Sequence, residues 1–372
     1  MNKTKRIILS GGGTGGHIYP AVAVAEALVR RLGDEVELLF VGAEGKMEME
    51  KIPSLGYRIE GLPIAGLQRR LDPANLLVPF KVLQSIRRAR RIIRDFDAGV
   101  VVGFGGYASA PVLWAAQRMG IPTVIQEQNS YAGVTNKILG RRARWICTAY
   151  EGMERFFPAD RIVPTGNPLR GSFSKAGTDR AEALAYYGFD ADRPTVLVVG
   201  GSLGTRTLNE MMKEWLPRQH GEAPVQVIWQ TGKYYEREMR DFLAAHPTKH
   251  VWQGAFIERM DYAYAAADLA ISRSGAGTVS ELCLVAEPTI FVPSPNVAED
   301  HQTKNAQALV SKGAALMLRD AEACGRGMDL AVEVLADPER LAGLSARIGR
   351  LARPDAAERI VDRILQTLQT EH

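Results

Sequence analysis

Twice in this chain a short β-branched run ends in a Gly-Gly-hydroxyl turn and passes into a helical pattern. Ile7-Ile8-Leu9-Ser10 leads into Gly11-Gly12-Gly13-Thr14-Gly15-Gly16-His17, and Val196-Leu197-Val198-Val199 leads into Gly200-Gly201-Ser202-Leu203-Gly204. Glycine supplies the positive φ of a tight strand-to-helix turn, and its missing side chain lets backbone N–H groups approach a phosphate. One such opening marks one doubly wound sheet; two mark two in tandem. At about 150 residues per domain, 372 residues accommodate them.

The rest of the pattern agrees. Strands are expected at Ile7–Ser10, Val36–Val41, Val100–Val102, Thr123–Gln126, Trp145–Thr148, Val196–Val199, Val225–Gln230, Leu269–Ser272 and Thr289–Val292. Helical stretches follow most of them, at Ala21–Arg31, Lys81–Arg94, Val112–Met119, Leu208–Leu216 and Val279–Val285. Continuous apolar strands alternating with helices predict parallel sheets covered on both faces, an α/β class. Turn formers and charge interrupt the periodicity between Asn167-Pro168 and Arg193-Pro194, which is where the halves should divide. The tail Asp355–Thr370 is helical in pattern with no strand after it, and should pack back on a preceding half.

Composition excludes several classes. Lys+Arg 46 against Asp+Glu 42 is too mild a balance for nucleic acid without a local cluster. Cys147, Cys283 and Cys324 are widely spaced and build neither a disulfide framework nor a zinc site, so a reducing compartment is expected. No apolar run reaches the ~18 residues of a membrane span. Ile7-Ile8-Leu9 is too short for a signal peptide, which predicts a cytoplasmic protein.

Gly11, Gly13 and Gly16 satisfy the G-x-G-x-x-G spacing, with a helix expected from near Pro20 and Glu44 loosely offering the acid at the end of the second strand. A tight turn without a ligand would look the same. Gly103-Phe104-Gly105-Gly106-Tyr107 follows another strand, so several glycine turns should line one cleft between the halves, favouring two ligands over one dinucleotide. His17 stands where a side chain can take a proton near neutral pH, or merely bond a backbone group at a helix start. Ser272-Arg273-Ser274-Gly275-Ala276-Gly277-Thr278-Val279-Ser280-Glu281 supplies small residues at a helix start. Thr278 with Glu281 reads equally as a capping box or as a phosphate turn beside a ribose-binding acid. Asn296–Asn305 carries amides and acids of the kind that read sugar hydroxyls.

Residues 69–94 hold eight basic residues and one acid, Asp72, around Leu76-Leu77-Val78-Pro79-Phe80. Basic side chains beside an apolar face describe either a helix on an anionic membrane or a core helix with a solvated basic face. Too few aromatics interleave for nucleic acid.

Jointly, Gly12-Gly13-Thr14-Gly15-Gly16-His17, Gly105-Gly106-Tyr107, Glu127-Gln128-Asn129, Gly166-Asn167-Pro168-Leu169-Arg170, Gly200-Gly201-Ser202, Arg273-Ser274-Gly275-Ala276 and Asp300-His301-Gln302 resemble the MurG family over nearly the whole chain. These are inverting, GT-B-fold glycosyltransferases of peptidoglycan synthesis. The resemblance implies two Rossmann-like domains facing a central cleft, an acceptor and membrane-associating domain at 1–169 rejoined by 354–372, and a donor domain at 170–353. It implies UDP-GlcNAc as donor, lipid I as acceptor, lipid II and UDP as products, and no cofactor or metal. The enzyme would sit peripherally on the cytoplasmic face of the plasma membrane, held through 69–94 and partnered by other cell-wall synthesis proteins.

The same resemblance assigns roles. His17 matches the family's proposed general base, and Gly105, Gly106 and Tyr107 the acceptor diphosphate loop. Thr14, Gly15, Gly16 and Asn129 match donor-binding positions near the donor and acceptor diphosphates. Arg170, Ser202 and Ile257 hold the uridine diphosphate, Ile257 reading uracil through its backbone. Ala276, Gly277, Thr278, Val279 and Ser280 form the phosphate turn, Glu281 binds ribose and Gln302 reads the sugar. Leu203, Thr205 and Gly277 depart from the family's usual residues. A UDP-GlcNAc epimerase of the same fold and a non-catalytic nucleotide-sugar sensor are the rival readings. An oxidoreductase rests on the first glycine loop alone.

Overall fold

The computed structural model describes residues 4–64, 78–171, 177–201 and 203–369. The expectations for Ser202 and for residues 69–77 therefore lie outside the described residues. The chain forms two compact units, Met1–Gly171 with Arg353–His372, and Ser172–Ala352. The first unit thus runs two residues past the sequence boundary, and Arg170 belongs to it.

In the first unit β1 (Lys5–Ser10), β2 (Val36–Ala43), β3 (Ile59–Leu62), β4 (Val100–Gly103), β5 (Thr123–Glu127), β6 (Trp145–Thr148) and β7 (Ile162–Pro164) form one sheet. Its order is β3-β2-β1-β4-β5-β6-β7, with every pairing parallel. The strand order reverses between β1 and β4, the switch point at whose carboxyl ends such sheets bind ligands. Alternate residues enter opposite layers. Ile8, Val41, Val101, Ile125 and Ile146 pack with Ala89, Ile92, Ile93 and Phe96 of the helix Val78–Phe96. Ile7, Leu9, Phe40, Val102 and Val124 pack with Ile18, Val22 and Leu28 of the helix Gly15–Leu32. Ile360, Val361 and Ile364 of the last helix, Ala356–Gln369, complete that layer, with Arg30–Glu358 and Arg31–Asp362 ion pairs along its rim.

The first helix begins at Gly15, not near Pro20, which lies inside it. Proline there forfeits one i→i−4 hydrogen bond. The buried stripe from Ile18 through Ala21, Val22 and Ala25 offsets that loss, which local propensity could not register.

The second unit repeats the plan. β8 (Thr195–Val199), β9 (Gln226–Gln230), β10 (Val251–Gly254), β11 (Leu269–Ser272), β12 (Thr289–Phe291) and β13 (Leu316–Met317) align in the order β10-β9-β8-β11-β12-β13, again parallel throughout. Val196, Val198, Val227, Trp229, Leu269, Ile271 and Ile290 form the core of one layer. Behind the adjacent strands β8 and β9, Gly204 and Gly232, both at φ +82°, touch backbone to backbone. A Cβ on Gly204 would lie 2.2 Å from the Thr231 carbonyl oxygen, so only glycine closes this turn.

Candidate active site

In the first unit the loops after β1, β4 and β5 converge at the switch point. Phe104 donates its N–H to the Ser10 carbonyl at 2.7 Å, which draws the second loop against the first. Gly106 packs onto the Gly12 carbonyl so closely that a Cβ would lie 2.2 Å from the oxygen. The His17 ring lies against Gly105, where a Cβ would stand 3.1 Å from Nε2. His17 Nδ1 is 3.1 Å from the Gly12 carbonyl oxygen and 3.1 Å from Thr14 Oγ1. A carbonyl can only accept, so Nδ1 carries the proton and the basic lone pair belongs to Nε2.

Thr14 caps the helix Gly15–Leu32 in extended geometry, and its carbonyl accepts from the N–H groups of His17 and Ile18. The N–H groups of Gly15 and Gly16 open that helix and point along its positive end. Tyr107 is exposed, with its ring over Gly13. Asn129 donates its N–H to Glu127 at 3.1 Å. The buried Glu127 carboxylate also accepts from Gly133 N–H at 3.2 Å and from Asn136 Nδ2 at 2.8 Å. Burial pushes the Glu127 carboxyl above the usual range, while its amide donors hold it down. Arg170 donates from Nε to Glu26 Oε1 at 3.0 Å.

In the second unit the helix Ala276–Leu284 starts directly behind β11. Its N-cap is Gly275, so Thr278 sits inside the first turn and the capping-box reading of Thr278 with Glu281 falls. Gly277 and Thr278 present first-turn N–H groups along the helix axis. Val279 does not: its N–H is engaged by the Gly275 carbonyl at 2.9 Å and its side chain is buried. Ser280 Oγ donates to the Ala276 carbonyl. Glu281, one turn on, accepts from the Tyr264 hydroxyl at 3.4 Å. Burial raises the Glu281 carboxyl above its ordinary range; burial and the Glu281 charge hold the Tyr264 phenol well above its own.

Gln302 Oε1 accepts from Ser294 N–H at 2.9 Å, which fixes the amide's orientation, and Ser274 Oγ donates to the Gln302 carbonyl. Glu299 and Asp300, both at positive φ, precede it, a strained approach of the kind found at binding sites. The Ile257 side chain is buried, so only its backbone can face a ligand. Arg273 ties the loops together: Nη1 donates to the Val292 carbonyl and to Asp320, and Nε to Thr205 Oγ1. Thr205 in turn donates to the Gly200 carbonyl, and Leu203 is exposed.

Residues 7–148 match the glycosyltransferase family 28 N-terminal domain, and residues 195–360 match the family's C-terminal domain. The chain belongs to glycosyltransferase family 28. This glycosyltransferase is 52% identical to the UDP-N-acetylglucosamine--N-acetylmuramyl-(pentapeptide) pyrophosphoryl-undecaprenol N-acetylglucosamine transferase of Parabacteroides distasonis, over 98% of each chain. The crystal structure of Acinetobacter baumannii MurG superposes with a TM-score of 0.77 at 30% identity, over 97% of this chain and 99% of that one. A UDP-GlcNAc 2-epimerase from Neisseria meningitidis, solved with UDP-GlcNAc, superposes at 0.67 with 13% identity over 97% of this chain and all of that one, a likeness of fold alone. The GT-B expectation therefore holds, and the epimerase alternative is not favoured.

Two groups in this family 28 enzyme were not legible in its spacing. Glu48, not Glu44, is the acid that meets the first glycine loop; Glu44 pairs with Arg88 at 2.6 Å instead. Tyr264, on the helix Met260–Ala266, is the partner of Glu281.

Proposed function

We propose that this glycosyltransferase transfers N-acetylglucosamine from UDP-GlcNAc to undecaprenyl-diphospho-N-acetylmuramoyl-pentapeptide, lipid I, with inversion, forming lipid II and UDP in peptidoglycan synthesis. The observation that carries this reading is the end-to-end relationship to a transferase named for that donor and acceptor. In-line attack by the acceptor hydroxyl needs a base, and His17 Nε2 has the right tautomer for it. The departing UDP gains charge, which the Gly277 and Thr278 N–H groups stabilise from fixed positions, and Ser202 is the further group that the resemblance assigns to the diphosphate. Glu281 accepts from the ribose hydroxyls, the Ile257 backbone reads uracil, and Gln302 reads the sugar. Thr14, Gly15, Gly16 and Asn129 serve the donor where donor and acceptor diphosphates meet, and Gly105, Gly106 and Tyr107 form the acceptor diphosphate loop. Arg170 donates one guanidinium N–H to Glu26 and has further donors with which to meet a diphosphate.

UDP release from UDP-GlcNAc should depend on a soluble lipid I analogue and give a disaccharide by mass. It should persist in EDTA, because backbone N–H groups in place of a divalent ion receive the leaving charge. Loss of turnover in chelator, restored by magnesium, would overturn the metal-free reading. Release without acceptor would favour the epimerase, and donor binding without turnover the sensor.

The reading also places the enzyme peripherally on the cytoplasmic face of the plasma membrane. Among the described residues no helix is long and apolar enough to cross a membrane. On the helix Val78–Phe96, Phe80 and Leu83 are exposed, at 73% and 47%, in one stripe with exposed Arg87, Arg91 and Arg94. Apolar side chains beside cations suit an anionic lipid surface. The Phe80→Asp/Leu83→Asp variant should bind anionic vesicles roughly 10- to 100-fold more weakly. Unchanged co-sedimentation would remove this surface from the reading.

A further inference from the structure

The Glu48 carboxylate is fully buried, and no cation pairs with it among the described residues. Backbone N–H groups hold it. Gly13 N–H reaches Oε1 at 3.1 Å and Oε2 at 3.0 Å, and Ala43 N–H reaches Oε1 at 3.0 Å. Two glycines make room: a Cβ on Gly12 would lie 2.1 Å from Oε1, and one on Gly42 2.6 Å from Cγ. A buried carboxylate is costly unless its environment is built for it. This one is built for, at the end of β1 and β2.

Backbone N–H groups converging on an anion at the first strand-to-helix turn are what dinucleotide-binding sheets offer to a ligand phosphate. We propose that Glu48 is the internal ligand of the first glycine loop. Its carboxylate fills the anion position at Gly13, closing it to a nucleotide phosphate. By fixing Gly13 it fixes the adjoining Gly12 carbonyl, which holds His17 Nδ1 at 3.1 Å. Glu48 is a positioning residue that acts through the loop on His17, and its catalytic consequence rests on His17 being the base. It also explains why the G-x-G-x-x-G spacing here does not imply a nucleotide phosphate at Gly13.

The test uses Glu48→Gln and Glu48→Ala in the full chain. Glutamine keeps the shape, but its NH2 group opposes the Gly13 N–H. We expect kcat to fall roughly 10- to 100-fold, as a misplaced base costs, with donor KM within about two-fold. In spectra of protein with 15N-labelled histidine, His17, assigned by its loss in His17→Gln, should show the Nδ1–H tautomer in wild type and lose it in Glu48→Gln. Formate should restore turnover to Glu48→Ala, where it can occupy the vacated position, and not to Glu48→Gln, where it cannot. Unchanged kcat and imidazole signals in Glu48→Gln overturn the proposal. So does a fall in activity that tracks only a lowered Tm while the His17 signals stay put. If the signals shift as expected but His17→Ala turns over normally, Glu48 still positions the ring, and the base assignment alone fails.

Discussion

Alanine at position 17 should lower kcat by roughly 10²- to 10⁴-fold, the usual worth of a positioned general base. That is about 2.7–5.4 kcal/mol of transition-state stabilisation at 1.36 kcal/mol per decade. UDP-GlcNAc affinity should stay within about two-fold, because the donor-side groups Thr278, Glu281 and Gln302 all lie in the other unit. The expectation follows from three fixed contacts. The Gly12 carbonyl and Thr14 hydroxyl hold Nδ1, and Gly105 lies flat against the ring where no side chain would fit. The lone pair on Nε2 is therefore set by the loops, with no rotamer search left for the moment of reaction. Steady-state turnover with a lipid I analogue, alongside calorimetric donor titration, separates the two effects. A variant that keeps kcat within three-fold of wild type would move the base to another group. One that loses donor affinity instead would make His17 a binding residue.

The sequence announced the architecture because its central strands are buried on both faces and therefore read as unbroken apolar runs. β1, β4, β5, β8 and β11 all fall where the runs do. The edge strands were missed for the converse reason. β3 is Ile-Glu-Gly-Leu, β7 is Ile-Val-Pro, β10 is Val-Trp-Gln-Gly and β13 is two residues long. Each pairs on one side only and carries too little apolar sequence to stand out. At the site, residues contiguous with a glycine turn were legible, since the turn fixes where they stand. Glu48 was not: it reaches Gly13 across 35 positions of sequence, and nothing in its neighbourhood signals a buried acid. The ambiguity of Thr278 and Glu281 came down to the first residue of a helix. With Gly275 as N-cap, Thr278 falls within the first turn and Glu281 faces Tyr264.

That placement of Glu281 gives the second large effect. Glutamine at 281 should raise the donor KM roughly 10- to 100-fold, the 1.5–3 kcal/mol of hydrogen bonds to a charged acceptor. The pH dependence tests the charge itself. Burial holds the Glu281 carboxyl above its ordinary range, so it protonates while exposed carboxylates are still ionised. A protonated carboxyl accepts poorly from ribose hydroxyls. Wild-type donor KM should therefore rise as pH falls through that raised value, towards the level Glu281→Gln shows throughout. Tyr264 donates to the ionised form and so works against burial. Tyr264→Phe should move the limb towards neutral pH, a displacement that lost packing alone would not produce. Stability without donor runs the other way. In the window between the unfolded and folded values the native state keeps its proton while the unfolded chain has released it. Unfolding stability should thus decline as pH rises through that window in wild type, and Glu281→Gln should lack this decline. A wild-type KM independent of pH, with stability curves parallel to those of the variant, would show that Glu281 is not the group reading the ribose as an anion.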